Sequence, residues 1–195
     1  MAALIEVLLY LLQTLFSLFC IAVLVRFLLQ WSGADFYNPI SQFLVKVTAP
    51  LLNPLRKLIP GYLGIDMAAL VLALIVQAIA ISSTSLLVGF GVPNPFLLLI
   101  WAPIGVLAIL LNIYFFAILA NIVVSWVAPG TANAATMILY RLTEPVMAPF
   151  RKMLPSLGGL DLSPILVFVS INIGQIVLRH LANASGLHPG LVLGL

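Results

Sequence analysis

Four apolar stretches, each long enough to cross a lipid bilayer, constrain this chain more than any other feature. They run over residues 4–29, 67–90, 104–127 and 163–182. A helix needs about 20 mostly apolar residues to span a hydrocarbon core of about 30 Å. Only 7% of the 195 residues are charged, whereas soluble domains contain about 25% charged residues. The sequence therefore predicts an all-α integral membrane protein with four transmembrane helices.

The chain also contains an internal repeat with an offset of 95 residues. Residues 48–66 match residues 143–161 without a gap and are identical at eight of nineteen positions. The identical residues are polar, charged, glycine or proline, which a chance match in so apolar a chain would not supply. We therefore predict two units, residues 1–95 and 96–195, each built as helix, amphipathic loop, helix. Two spans per unit give both copies the same orientation, so the repeat is parallel.

The segments that connect the two spans of each unit, residues 38–60 and 133–155, are amphipathic. Their apolar residues recur at the i, i+3, i+4, i+7 spacing of one helical face. This pattern predicts helices that lie along the membrane surface. Asn38 and Asn133 precede these helices, and each is predicted to cap the first free backbone amides.

Prolines predict where several helices end. Pro50 and Pro145 are expected to stop the surface helices, because proline lacks an amide donor and clashes with the preceding turn. A second short amphipathic turn is then expected to end at Pro60 or Pro155. Pro103 and Gly105 are expected to divide the long third apolar stretch into a short entry and a main helix that begins at about Ile104.

Basic residues collect in the two connecting segments. Arg26 lies beside the first segment, and only Arg179 is placed at the other end of the spans. The positive-inside rule therefore predicts cytoplasmic loops and both chain termini outside. The tail from Asn183 is apolar and is expected to lie on or near the membrane. Six cations are candidate contacts for anionic lipid headgroups, worth about 1 kcal/mol each, or for a partner protein: Lys46, Arg56, Lys57, Arg141, Arg151 and Lys152.

Four charged residues each allow more than one interpretation. Asp66 and Asp161 precede spans, so they cap helices or together bind a cation. Glu144 pairs with a nearby arginine or caps a turn, or it belongs to an ion site. Arg26 snorkels toward the headgroups beside Trp31, or it holds a carboxylate such as Asp66.

Amide side chains inside the spans also allow two interpretations. Polar groups in transmembrane helices form interhelical hydrogen bonds, worth about 0.6–2 kcal/mol, or they line a hydrated path. These residues are Gln77, Asn112, Asn121 and Asn172. Under the 95-residue offset, Gln77 is equivalent to Asn172.

Each copy carries a set of short motifs. The second contains Thr143-Glu144-Pro145, Pro149-x-Arg151-Lys152 and Gly158-Gly159-x-Asp161-x-Ser163-Pro164, and the first contains Arg26 before Trp31, Asn38-Pro39 and Pro54-x-Arg56-Lys57. With these motifs both copies resemble the YggT family of small membrane proteins, and the resemblance covers nearly the whole chain. The copies differ where Ala49 stands opposite Glu144, where Asn121 stands opposite Arg26, and where Met67-Ala68-Ala69 stands in place of Leu162-Ser163-Pro164. A role that needs Glu144 or Arg26 would therefore exist in one copy only.

The resemblance implies a protein of the bacterial inner membrane. Members of that family are linked to osmotic-stress tolerance, potassium uptake and, in plastids, the organisation of membrane complexes. These links imply an accessory protein that acts through anionic lipids and a membrane protein complex or a homo-oligomer.

An oligomeric potassium channel or transporter is the alternative function, with Asp66 and Asp161 on the ion path. A membrane enzyme is not expected, because the sequence lacks a G-x-S-x-G elbow, an H-E-x-x-H motif and a phosphate-binding glycine loop. We expect no cofactor and no metal centre, since His180 and His188 have no third ligand at suitable spacing. Nucleic-acid binding is not expected either, because the few basic residues sit beside membrane segments.

Overall fold

The structure is a computed structural model that describes residues 2–62, 64–153 and 161–195. Within these residues the chain is all-α, as predicted. Four of the helices, α1, α3, α4 and α6, are long and apolar enough to cross a membrane, and α2 and α5 are the amphipathic connections. The six helices are α1 (Ala2–Trp31), α2 (Pro39–Leu58), α3 (Met67–Val88), α4 (Pro95–Val127), α5 (Ala134–Met153) and α6 (Ser163–Ala184).

Asparagine side chains cap both amphipathic helices, as predicted. The Asn38 side-chain oxygen accepts the backbone amide of Ile40 at 2.9 Å. The Asn133 side-chain oxygen accepts the amides of Ala135 and Thr136 at 3.0 and 2.9 Å. Each cap satisfies amides that have no partner within the helix, which fixes where the two surface helices begin.

The predicted helix breaks at proline are wrong. α4 continues through Pro103, and the prolines inside α2 and α5 do not end those helices either. The first proline of each helix provides no amide for the carbonyl four residues earlier, which belongs to Lys46 in α2 and to Arg141 in α5. Both residues are exposed, so they lie on the side of the helix that water or headgroups can reach. The expected end at Pro155 lies outside the described residues. The prolines inside the amphipathic helices are Pro50, Pro54, Pro145 and Pro149.

The spans of the two repeats pack around residues of different size. In the first repeat, Cys20 and Ala73 are fully buried where α1 meets α3, and the Cys20 Sγ lies 4.0 Å from the Ala73 carbonyl oxygen. The equivalent residues in the second repeat are Phe115 and Phe168, whose ring centroids lie 5.0 Å apart. A cavity of about 690 Å³ lies between α4, α5 and α6, and Phe168 lines it.

The C-terminal tail, expected to lie on or near the membrane, folds back and packs against the spans. Apolar burial drives this placement, and two side-chain amides secure it. Gln13 donates to the carbonyl of Gly190 at 3.0 Å, and Asn112 donates to that of Gly194 at 2.8 Å. Gly194 has a φ of +92°, and a Cβ there would lie 3.0 Å from the Ile109 backbone nitrogen. The buried tail residues are Leu187, Leu191, Val192 and Leu193.

Candidate functional site

An arginine–aspartate ion pair joins each amphipathic helix to the span that follows it. In the first repeat, the Asp66 Oδ2 accepts Arg56 Nη2 at 2.5 Å and Arg56 Nε at 3.2 Å. In the second, the Asp161 Oδ2 accepts Arg151 Nε at 3.1 Å. Because the arginine lies in the last turn of α2 or α5, each pair closes its loop onto the start of α3 or α6. Charge-assisted bonds of this kind are stronger than neutral ones.

The remaining donors of the two arginines find different acceptors. Arg56 Nη2 also donates to the Gln30 Oε1 at 3.2 Å. Arg151 Nη1 donates to the Glu144 Oε2 at 2.7 Å. Glu144 thus pairs with Arg151, which was one of its interpretations. The second repeat holds two carboxylates on one arginine, where the first holds one carboxylate and one amide.

The ion pairs of the second repeat shift the ionisation of their members. Partial burial alone would lower the pKa of Arg151, but its hydrogen bonds to Glu144 and Asp161 outweigh burial, and the pKa is raised. Partial burial alone would raise the pKa of Asp161, but hydrogen bonds from Ser163 and Arg151 lower it. Both groups are therefore held in their charged forms.

Both aspartates also bind the amino ends of their spans. The Asp66 Oδ1 accepts the backbone amide of Ala69 at 3.2 Å, which makes Asp66 the N-cap of α3. The Asp161 Oδ1 accepts the amide of Ser163 at 2.9 Å. The structure thus places each carboxylate on its own arginine and helix rather than in a shared site. Within the described ranges, no group of three or more His, Cys, Asp or Glu residues is placed to hold a metal ion.

Arg26 takes neither of its predicted positions. It is 4% exposed, so it does not snorkel. Its Nη1 donates to the Thr48 Oγ1 at 2.6 Å, and this hydrogen bond joins α1 to α2. The equivalent contact in the second repeat is a neutral one, from Asn121 Nδ2 to the Thr143 Oγ1 at 3.3 Å. Sequence reasoning missed this pairing, although the 95-residue offset already aligned both threonines.

Amides inside the spans join helices in one place and lack partners in another. The Gln175 Nε2 donates to the Asn112 Oδ1 at 2.8 Å and joins α6 to α4. Among the described residues, the Asn172 side chain bonds within its own helix, to the Phe168 carbonyl. Gln77 is fully buried, and neither of its polar side-chain atoms has a hydrogen-bond partner within the described residues. A Cβ at Gly105 would lie 2.0 Å from the Gln77 Nε2, so only glycine leaves room for this amide.

The six candidate cations fall into two classes. Arg56 and Arg151 are half-buried and bound to aspartates. The other four are exposed, and none of the ion pairs found among the described residues includes them. Apolar side chains on the same helices are exposed beside them, including Phe43 and Leu51 on α2 and Tyr140 on α5. We call this the basic surface, and it consists of Lys46, Lys57, Arg141 and Lys152.

A polar cavity lies between the two repeats, where α2 and α5 begin. Its volume is about 360 Å³, and Asp35 and Arg141 both line it. Asn38 Nδ2 donates across the boundary to the Ala134 carbonyl at 2.8 Å, so the two repeats meet there. Sequence reasoning missed Asp35, which lies three residues before a predicted N-cap and is the acidic residue nearest the start of α2.

The family model of CCB3/YggT matches the chain twice, at residues 5–87 and 100–182. The two matches are offset by 95 residues, the offset of the internal repeat. The chain belongs to the CCB3/YggT family. This CCB3/YggT member is therefore a multi-pass membrane protein with two family repeats.

Relatives of the chain include bacterial and plastid proteins. It is 48% identical to protein PA0392 of Pseudomonas aeruginosa over 180 residues, and this match covers 91% of each chain. It is 36% identical to YggT of Escherichia coli over 191 residues, and this match covers 95% of this chain and 97% of the relative. A shorter match, 42% over 62 residues, is to YlmG homolog protein 2, chloroplastic, of Arabidopsis thaliana and covers 32% of this chain and 24% of the relative. No solved structure matches the chain.

Proposed function

We propose that this CCB3/YggT protein is a non-enzymatic accessory protein of the bacterial inner membrane. Its basic surface binds anionic lipid headgroups and presents α2 and α5 to a membrane protein complex or to further copies of the chain. A role in osmotic-stress tolerance or potassium homeostasis would follow from that partner. The resemblance noted in the sequence motivates this physiological part of the proposal.

The division of the cations into two classes carries the proposal. In each Arg-Lys pair the arginine is bound to an aspartate, whereas Lys57 and Lys152 remain exposed. Exposed apolar side chains on the same helices favour a position at the headgroup level, where apolar groups insert and cations meet phosphates. The ion pairs hold the helices in place, and the lysines supply the attraction to the membrane.

The sidedness of the protein follows from the same charges. The positive-inside rule places short loops rich in lysine and arginine in the cytoplasm. We therefore propose cytoplasmic α2 and α5, with both ends of the chain on the opposite side. Protease digestion of sealed right-side-out and inside-out vesicles tests this orientation, and cleavage after Lys57 or Lys152 only in right-side-out vesicles would contradict it.

Lipid retention tests the main proposal. The native protein, the triple variant K46Q/K57Q/K152Q and the control R179Q are purified from membranes that contain phosphatidylglycerol, and bound lipid is counted by native mass spectrometry. We expect the triple variant to retain several-fold less phosphatidylglycerol, because each cation near the surface is worth about 1 kcal/mol. R179Q should match the native protein. Equal retention by all three proteins would contradict the proposal.

The protein partner is tested separately by cross-linking in native membranes. A lysine-reactive cross-linker should capture a stoichiometric membrane partner or a second copy through Lys57 or Lys152. The triple variant should lose that product. Recovery of the uncross-linked chain alone, from both native and variant membranes, would contradict the accessory role.

An oligomeric potassium channel or transporter remains the alternative proposal. It would use Asp66 and Asp161, but each of these carboxylates is occupied by an arginine, which opposes cation binding. Flux of a potassium analogue into liposomes that contain only the purified protein tests it. Flux that D66N/D161N abolishes would favour transport, and its absence from correctly inserted native protein would favour the accessory role.

A further inference from the structure

We propose that the polar cavity between the repeats binds the headgroup of a phospholipid that carries a phosphate and a primary ammonium. Its volume of about 360 Å³ lies within the range of about 300–1,000 Å³ that is typical of small-molecule pockets. The cavity is bounded by the loop before α2 on one side and by the first turns of α5 on the other. The two repeats thus form the site together.

Opposite charges on two walls of the cavity identify the headgroup. Asp35 comes from the first repeat and Arg141 from the second, and both side chains line the same space. Among the residues that the structure describes, neither takes part in an ion pair. One oxygen of Asp35 accepts the amide of Tyr37 at 2.8 Å, which orients the carboxylate. A zwitterion complements these charges, with its phosphate on Arg141 and its ammonium on Asp35.

Position in the fold favours a lipid over a soluble zwitterion. The cavity opens where α1 ends and where α2 and α5 begin, which is the headgroup level if these helices lie along the membrane. Met137 and Ile138 also line it, and Met137 is 55% exposed, so an apolar surface adjoins the charged one. The inference rests on the proposed function only for the membrane position of α2 and α5.

The ammonium distinguishes this site from general attraction to anionic lipid. A primary ammonium donates up to three hydrogen bonds, as a lysine side chain does, whereas the trimethylated ammonium of phosphatidylcholine has no hydrogen to donate. Phosphatidylglycerol has no ammonium at all. Asp35 should therefore select phosphatidylethanolamine over both other lipids, while the exposed lysines should favour phosphatidylglycerol.

Native mass spectrometry of protein released from nanodiscs with equal amounts of the three lipids tests the site. We expect the native protein to retain phosphatidylethanolamine about tenfold over phosphatidylcholine, as one charge-assisted contact worth about 1.4 kcal/mol would give. D35N should abolish that selectivity, and R141Q should reduce retention of phosphatidylethanolamine and phosphatidylcholine alike. D35E should keep the selectivity, and E6Q and R179Q should match the native protein.

Two outcomes would overturn the inference. The first is unchanged selectivity in D35N whose unfolding midpoint equals that of the native protein. The second is displacement of the lipid by soluble phosphoethanolamine at equal concentration, which would assign the site to a soluble zwitterion. The variant K46Q/K57Q/K152Q separates this site from the proposed function, because it should lose phosphatidylglycerol and keep its preference for phosphatidylethanolamine over phosphatidylcholine.

Discussion

The two repeats place the same polar residues at equivalent positions, yet solvent reaches them to very different extents. Asp66 is 5% exposed and Asp161 is 48% exposed, although each carboxylate binds the arginine ten residues before it. We attribute this difference to side-chain size in the spans, where the small pair Cys20 and Ala73 is replaced by two phenylalanines in the second repeat.

The same difference changes what each repeat is able to do. The first repeat buries a charged arginine, Arg26, and stabilises it with Thr48. The second has the neutral Asn121 at that position, and this residue lines the cavity of about 690 Å³. The first repeat thus ties α2 to α1 through a buried charged group, whereas polar residues of the second border a cavity that small molecules or lipid could enter.

The largest effect is expected when the small pair of the first repeat is enlarged. A73F inserts a ring at a fully buried position between α1 and α3, and overpacking of this kind lowers stability by about 3 kcal/mol. The free energy of unfolding in mixed micelles measures this loss. I79F adds the same ring at an exposed position on α3 and serves as the control. A change in A73F no larger than in I79F would refute the role of side-chain size.

Much of this comparison could be predicted from the sequence. The spans follow from hydropathy, and the 95-residue offset by itself aligns the arginine and the aspartate of one pair with those of the other. The sequence could not show that Pro50 and Pro145 lie within helices. A proline is tolerated there only if the carbonyl that loses its amide partner can bond elsewhere, and that depends on where α2 and α5 lie in the folded protein. It also could not show that Arg26 is buried, since burial depends on how α2 lies over α1.

The cavity between the repeats was beyond sequence reasoning for a related reason. Asp35 and Arg141 are separated by more than one hundred residues, and neither belongs to the repeated motif. Their approach depends on how the two units pack against each other, which local patterns do not determine. The contact between Asn38 and the Ala134 carbonyl is likewise a product of that packing.

A second experiment compares two threonines with equal burial and different donors. Thr48 is fully buried and Thr143 is 1% exposed, but Thr48 accepts a charged guanidinium whereas Thr143 accepts a neutral amide. T48V should destabilise the protein by about 2 kcal/mol, because it removes the nearer acceptor of a buried charge and leaves only the long bond from Arg26 Nη1 to the Val45 carbonyl at 3.4 Å. T143V should lower stability by less than about 1 kcal/mol. Equal losses in the two variants would show that Arg26 finds another acceptor.

A third experiment compares the two aspartates. D66N should lower the free energy of unfolding by about 1 kcal/mol, since Arg56 is partly exposed and water replaces some of the lost attraction. D161N should have a smaller effect, because Asp161 is more exposed and Arg151 keeps Glu144. Reversible denaturation of both variants in mixed micelles gives the two values. A larger loss in D161N would contradict the view that burial separates the repeats.

The smallest effect concerns pH and the exposed pair of the second repeat. Because the folded state lowers the pKa of Asp161 below its ordinary value of about 3.9, the charged carboxylate adds stability above that pH. This contribution is lost as the pH falls through the folded pKa. Arg151, whose pKa is raised, stays protonated throughout, so the change belongs to the carboxylate.

The difference in unfolding free energy between the native protein and D161N, measured from pH 6 to pH 3, isolates this contribution, because the other carboxylates titrate in both proteins. The difference should narrow below about pH 4. It should also be smaller at every pH in 1 M salt, since the pair is exposed and salt screens it. A difference that stays constant or widens at low pH would mean that folding does not favour the charged form of Asp161, and the ion pair would then not close the second loop.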